Sequence, residues 1–378
     1  MVDLLNHFSS RRAQILEEIR TLVEMESPTL DCEATTAVTS FLVPEFESLG
    51  ARVKLYPTEN GSHLIAHIPF NAPVASNPIM LLGHADSVWP HNTLATMPFR
   101  IEDGRAYGPA VFDMKGNVVL MLEALRAISS LGLRLSHPVT VFLSCDEESG
   151  SASSRSLIEA EARSCAAVLV LEPPLPGGIV KTERKGIAAF EIKTHGISAH
   201  AGLEPEKGVS AIVEMAHQIL KLQQMVDLPA GISINTGVIK GGTYSNVVAA
   251  EASIEVDVRF PKIADGELII DQIHRLSPVL TGTRVEVIGG LNRPPLERTA
   301  DVIALFESAK RVASELGFEL KEGSVGGGSD GNFTGALGIP TLDGLGIDGA
   351  GAHAKHEHII IDDIPRRAAL LTGLLRSL

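Results

Sequence analysis

Three short apolar runs, PIMLLGH (78–84), HPVTVFLSC (137–145) and AAVLVLEPP (166–174), set the strongest limit on how this chain can fold. Each is too short for a buried helix, and none shows the strict apolar/polar alternation of a half-exposed strand. Strands that are apolar on both faces belong inside a sheet covered on both sides, which is the usual situation of parallel strands. Between the runs the spacing turns helical: MKGNVVLMLEALRAISSLG precedes the second and SRSLIEAEARS the third. Helical periodicity also opens the chain at about residues 3–24 and 33–49, the latter closed by Gly50, and the short strands RVKLY and HLIAHI precede the first run. This alternation predicts an α/β domain built on a mostly parallel sheet.

From about residue 185 the pattern changes. AAFEIKTHG alternates, a helix is expected over about 207–226, ISINTGVIKGG and ASIEVDVRF read as paired strands, and ADGELIIDQIHRL and RVEVIGG follow as helix and strand. That is the βαββαβ order of a ferredoxin-like unit. The remaining VIALFESAKRVASELG, FELKEG and IPRRAALLTGLL are too few to build a core, so they are expected to complete the first domain. The expected organisation is one domain from residues 1–184 and 294–378, interrupted by an α+β insertion at 185–293.

Composition removes several classes of function. The 378 residues carry 46 acidic against 32 basic side chains, a formal charge of −14, and no basic block offers a phosphate footprint, so nucleic acid is not an expected partner. No apolar run approaches the length needed to cross a membrane. Cys32, Cys145 and Cys165 are odd in number and lack CxxC spacing, which indicates neither a disulfide framework nor a thiolate zinc site. The opening MVDLLNHFSSRRAQILEEIR reads as an amphipathic helix, not as a signal sequence, and the expected location is cytoplasmic.

The ends of the apolar runs carry the chemistry. His84 and Asp86 follow the first, Asp146-Glu147-Glu148 the second and Glu172 the third. Asp113 lies just before a helix in YGPAVFDMKGN, and His353 lies in the loop GAGAHAKHEH. In doubly wound sheets, ligands collect outside the carboxyl ends of strands. Singly, each motif has an ordinary explanation: a chance HxD, a solvated acidic strand end, a surface histidine. Jointly they supply imidazole and carboxylate donors without thiolates, the set suited to a catalytic pair of zinc, cobalt or manganese ions. A two-metal site needs one bridging carboxylate and two further ligands per ion, and His84, Asp113, Glu148, Glu172 and His353 meet that count.

These residues, together with GHADSV, DEESGS, LEPP, GISAHAGLEPEKGVSA, GGTYSN, VDVRF, GGGSDG and IPRR in that order, resemble the co-catalytic zinc metallopeptidases of the acetylornithine deacetylase, succinyl-diaminopimelate desuccinylase and glutamate carboxypeptidase group. The match extends over nearly the whole chain and is nearest to the glutamate carboxypeptidases. The resemblance implies a phosphorylase/hydrolase-like, zinc-peptidase-type catalytic domain with an inserted lid that dimerises. It implies two zinc ions, with cobalt or manganese as substitutes. Asp113 would bridge them, His84 and Glu172 would complete one shell, and Glu148 and His353 the other. Of the histidines in HAKHEH, the family pattern points to His353, which follows GAGA and has Glu357 four residues on, over His356 and His358. Asp86 would orient His84 through a hydrogen bond, and a cis peptide is implied after Asp113.

The implied activity is hydrolysis of an amide bond in an N-acyl amino acid or short peptide with a free carboxylate. A hydroxide bridging the metals would attack, Glu147 would be the general base, and a C-terminal amino acid would be released, with glutamate suggested by overall similarity. His200, in the lid of a homodimer, would stabilise the oxyanion in the partner's site, while Asn246, Arg259 and Arg293 would meet the substrate carboxylate. For Arg259 a salt bridge at a strand end is an equal alternative. A deacylase or desuccinylase of another specificity is the first alternative function, and a non-catalytic metal-dependent peptide-binding protein the second. A third competitor arises because GGSDG (327–331) formally matches G-x-S-x-G, so Ser329 with Asp343 and His353 outlines a serine hydrolase. It would leave the HxD, DEE and Glu172 features unexplained.

Overall fold

The computed structural model describes residues 3–73 and 76–378. The chain divides into two compact units, one made of 1–183, 298–325 and 329–378, the other of 184–297 with 326–328.

The first unit is built on a six-stranded sheet in the order Arg52–Thr58, Gly61–Ile68, Val139–Ser144, Ile79–His84, Ala167–Val170, Thr341–Leu342. Gly61–Ile68 is antiparallel to both its neighbours, and the remaining ladders are parallel. Five of the six strands therefore run the same way. Alternate residues of the central strands feed two different cores, as the two-residue period of a strand requires. Ile79 and Leu81 join the larger cluster with Val139, Val141 and Leu169, whereas Met80 and Leu82 pack with Phe142, Ile158, Val168 and Phe333 on the opposite face. Helices cover both sides. Leu4–Glu24, Gly116–Ser130, Ala300–Glu315 and Ile364–Ser377 contribute to the larger core, and Arg155–Ala162 with Gly331–Ala336 to the smaller. Gly116–Ser130 is buried over most of its circumference, which explains a sequence apolar almost all round.

A second, four-stranded sheet was not foreseen from sequence. Arg100–Glu102, Arg105–Tyr107, Gly349–Ala350 and His358–Ile360 pair antiparallel. Runs of two or three residues are too short for periodicity to register. The strand expected at FELKEG starts later, at Glu322–Val325.

In the second unit, strands Gly186–His195, Ser233–Gly241, Glu251–Phe260 and Arg284–Arg293 form one antiparallel sheet, the second strand lying at one edge, followed by the third, the first and the fourth. Helices Ala211–Gln224 and Ile263–His274 complete the βαββαβ order and pack on Ala188, Phe190, Ile192, Val256 and Val258. This is the ferredoxin-like arrangement. Among the described residues, no helix is long and apolar enough to cross a membrane.

The three cysteines occupy unlike environments. Cys145 and Cys165 are buried and burial pushes both thiols up to about 12, whereas Cys32 is exposed. Because the thiolate is the reactive form, a disulfide-exchange reagent at pH 8 should titrate one thiol per native chain, Cys32, and three after denaturation. Rapid reaction of a second thiol in the native protein would contradict this packing.

Candidate metal centre and its surroundings

The three central parallel strands end side by side, so the residues following them converge. His84 terminates one strand, Cys145-Asp146-Glu147-Glu148 follows the next, and Leu171-Glu172 follows the third. Asp113 reaches the same place from the segment leading into the Gly116–Ser130 helix, and His353 from the loop between Gly349–Ala350 and His358–Ile360.

Two triples of donor atoms result, His84 with Asp113 and Glu172, and Asp113 with Glu148 and His353, each with its atoms within 4.8 Å of one another. His84 Nε2 lies 3.3 Å from Asp113 Oδ1 and 3.6 Å from Glu172 Oε1. His353 Nε2 lies 3.4 Å from Asp113 Oδ2 and 3.1 Å from Glu148 Oε2. Asp113 thus turns one oxygen towards each triple, as a bridging carboxylate must. Glu148 Oε1 is buried without a hydrogen-bond partner among the described residues, an orphaned acceptor that a cation would satisfy. The donor types and the unsatisfied oxygen fit a pair of divalent ions. The peptide between Asp113 and Met114 is cis.

The titratable groups respond to this crowding. Burial opposes charge on Asp113, but His353 and His84 outweigh it and hold the carboxyl well below its usual range. Burial likewise disfavours a charged His84, yet Asp113 and Asp86 raise its pKa well above the ordinary value. Hydrogen bonds with Asp113 and Glu148 raise His353 to about 10. Glu148 goes the other way, raised chiefly by burial.

Asp86 lies beneath His84. The ring Nδ1 donates to the Asp86 carbonyl at 3.0 Å and lies 3.4 Å from its carboxylate Oδ1, which fixes the tautomer with Nε2 facing Asp113. The same carboxylate accepts the backbone N–H groups of Glu147 at 3.2 Å and Glu148 at 3.1 Å. One buried side chain thereby joins the HxD and DEE motifs. Asp146 and Asp330 support this corner. Asp146 accepts from Ser153 at 2.7 Å and Ser154 at 2.6 Å, and Asp330 accepts from Ser144 at 2.8 Å and from Ser151. Sequence reading missed these anchors, because short polar side chains after a strand look like any loop.

Glu147 is half-buried on the short helical turn Glu147–Ser149. In the second unit, His200 Nδ1 accepts backbone N–H groups from Gly202 and Leu203, both at 3.1 Å, which leaves Nε2 as the protonated, donating nitrogen. Asn246 is its neighbour: its carbonyl accepts the Ala201 N–H at 3.0 Å. Arg259 grips Asp257 through two bonds of 2.7 and 2.9 Å and reaches the Gly326 carbonyl at 3.3 Å, so it forms the salt bridge that the sequence offered as an alternative. Arg293 is buried, with Gly328 packed so closely that a Cβ there would stand 2.9 Å from its Cδ.

The serine-hydrolase outline does not assemble. Ser329 is fully buried and its hydroxyl donates to Asp343 at 2.6 Å, while His353 faces Asp113 and Glu148.

The model of peptidase family M20/M25/M40 matches residues 80–377. The chain belongs to this family. It is 31% identical over 372 residues to carboxypeptidase G2 of Pseudomonas sp. (strain RS-16), covering 96% of this chain and 89% of that protein. Among solved structures it resembles aminopeptidase PepT from Bacillus cereus, with a TM-score of 0.78, 24% identity and coverage of 97% and 98% of the two chains. It also resembles the Bacillus subtilis YXEP protein, a dinuclear metal-binding peptidase of family M20, with a TM-score of 0.72, 15% identity and coverage of 97% and 98%. As an M20 member the chain is a metal-dependent hydrolase of the peptidase class.

The buried Ser329 has a structural duty in this family member, not a nucleophilic one. Ser329→Ala should cost about 1–3 kcal/mol of stability by removing the buried hydroxyl that donates to Asp343 and accepts the Gly331 N–H, and should leave turnover within a few-fold of the parent protein in a steady-state assay. A loss of activity of several orders of magnitude would restore the serine mechanism.

Proposed function

We propose that the protein hydrolyses the amide bond of an N-acyl amino acid or short peptide bearing a free C-terminal carboxylate, and releases the C-terminal amino acid. The observation that carries this reading is the single Asp113 carboxylate, whose two oxygens face two separate triples of imidazole and carboxylate donors. His84, Asp113 and Glu172 would hold one zinc ion, and Asp113, Glu148 and His353 the other. When bound, such ions polarise a carbonyl and lower the pKa of water towards ~7. The likeness to the dinuclear metal-binding YXEP peptidase supports the count of two, and the similarity to carboxypeptidase G2 supports the preference for a C-terminal carboxylate, with glutamate as the leading candidate for the released residue.

The chain's own side chains supply the remaining steps. Glu147 takes a proton from the attacking water and passes it to the departing amine. Its neighbour Glu148 is turned into the cluster, and the backbones of both are tied to Asp86, so base and ligand keep a fixed separation. His200 offers its Nε2–H to the developing oxyanion of the partner subunit's site. Asn246, Arg259 and Arg293 orient the substrate carboxylate, and Arg259, already neutralised in part by Asp257, contributes mainly direction. A homodimer through the inserted unit is supported by apolar residues left exposed on its edge strand and first helix: Val238, Ile239, Ile212, Val213 and Leu220.

The deciding experiment is mass-spectrometric detection of amino acids released from a panel of N-acyl amino acids and dipeptides, with the protein as purified, after chelation, and after restoring zinc, cobalt or manganese. Release should disappear with chelator and return with metal. Persistence through chelation would overturn the reading. Glu147→Ala should lower kcat by about 10²-fold or more with unchanged metal content, and near-parental turnover would remove Glu147 as the base. His200→Ala should lower kcat by ~10²-fold, with an unchanged kcat ruling out oxyanion stabilisation.

A further inference from the structure

Glu357 lies outside both donor triples, is fully buried, and gathers an unusual set of partners. Oε1 accepts the backbone N–H groups of Phe112 and Asp113, each at 3.0 Å, while Oε2 accepts the Ala110 N–H at 3.0 Å and the Trp89 indole N–H at 2.8 Å. Its own carbonyl accepts the Gly108 N–H at 3.4 Å. All of these partners are donors, which suits an ionised, acceptor-only carboxylate.

The segment it holds is not regular structure. Ala110 sits at φ +58°, in the left-handed region that a side chain disfavours, and Asp113 and Met114 have non-helical dihedrals just before the long buried helix begins. Glu357 supplies acceptors for three amides of this stretch, including that of Asp113 itself. It also belongs to the loop that presents His353, another non-glycine residue in the left-handed region, at φ +61°. A carboxylate serving only to fill a cavity would take donors from anywhere. This one joins the backbones that carry the two outer members of the Asp113, Glu148 and His353 triple.

We propose that Glu357 is the positioning residue that keeps Asp113 and His353 in register for a divalent cation, so that its loss weakens cation binding beyond any effect on folding. The inference rests on the two-ion reading above. It assigns a task to the acid four residues after the last histidine ligand, and to the Trp89 indole that steadies it.

The test is zinc affinity of the full-length protein, measured by competition with a chromophoric chelator well below the melting temperature, for the parent, Glu357→Gln and Trp89→Phe. The glutamine keeps the volume but turns an amide N–H₂ towards N–H donors. Glu357→Gln should bind Zn²⁺ about 10- to 100-fold more weakly and should shift the visible absorption bands of bound Co²⁺, a signature that a loss of fold stability alone would not move. Trp89 is the only tryptophan, so its emission reports independently whether the indole has lost its carboxylate partner. A folded Glu357→Gln with parental Zn²⁺ affinity and an unshifted Co²⁺ spectrum overturns the proposal. If that variant does not fold, Trp89→Phe decides, because it removes one anchor of four. It should weaken Zn²⁺ binding by about tenfold, the lower end of the effect of outer partners of metal ligands, and unchanged affinity overturns the proposal. Failure of the parent protein to bind Zn²⁺ at all would overturn the two-ion reading itself, an outcome distinct from parental binding that survives in Glu357→Gln.

Discussion

Four carboxylates, Asp86, Asp113, Glu148 and Glu172, crowd around two imidazoles at the ends of three adjacent strands. Like charges this close suppress one another's ionisation unless positive charge lies between them. The protein meets part of that need with its histidines, both pushed towards the protonated form, yet His353 only partly offsets the burial of Glu148. The surrounding architecture holds the acids in this position. Parallel strands aim them at one point, buried carboxylates lower in the structure tie their loops together, and short serine and backbone donors surround those carboxylates in turn.

The anchors differ from the ligands in the kind of partner they choose. Ligand candidates face one another through side-chain atoms, whereas Asp86 and Glu357 hold backbone amides of neighbouring segments. A backbone amide cannot swing away as a side chain does, so an acid that captures two or three of them fixes the path of the chain. The position of each ligand is then inherited from a main chain already constrained, which is how an enzyme avoids reorganising its dipoles during the reaction.

Much of this was visible in sequence because strand ends announce themselves. Runs such as VTVFLSC have a composition that only a covered strand explains, and the acids that follow must then lie at the sheet's carboxyl edge. The family resemblance rested on the same segments. What escaped was either too short or too local. The sheet that carries His353 is made of two- and three-residue strands, and Glu357 looked like a spacing marker for His353 because nothing in HAKHEH reveals that its carboxylate turns inward. The Arg259 salt bridge was legible in principle, since Asp257 two residues earlier in the same strand must share its face.

The inserted unit begins and ends on itself. Arg184 and Leu296 exchange both of their backbone hydrogen bonds, each at 3.0 Å, so the two ends of its 184–297 stretch lie side by side. Such a segment asks of its host only a gap as wide as one hairpin turn, and closing that gap would add little chain entropy whatever the length of the insertion. In evolutionary terms such a unit is a cassette, open to enlargement or exchange while the reading frame on either side continues to encode the same cluster of acids and imidazoles.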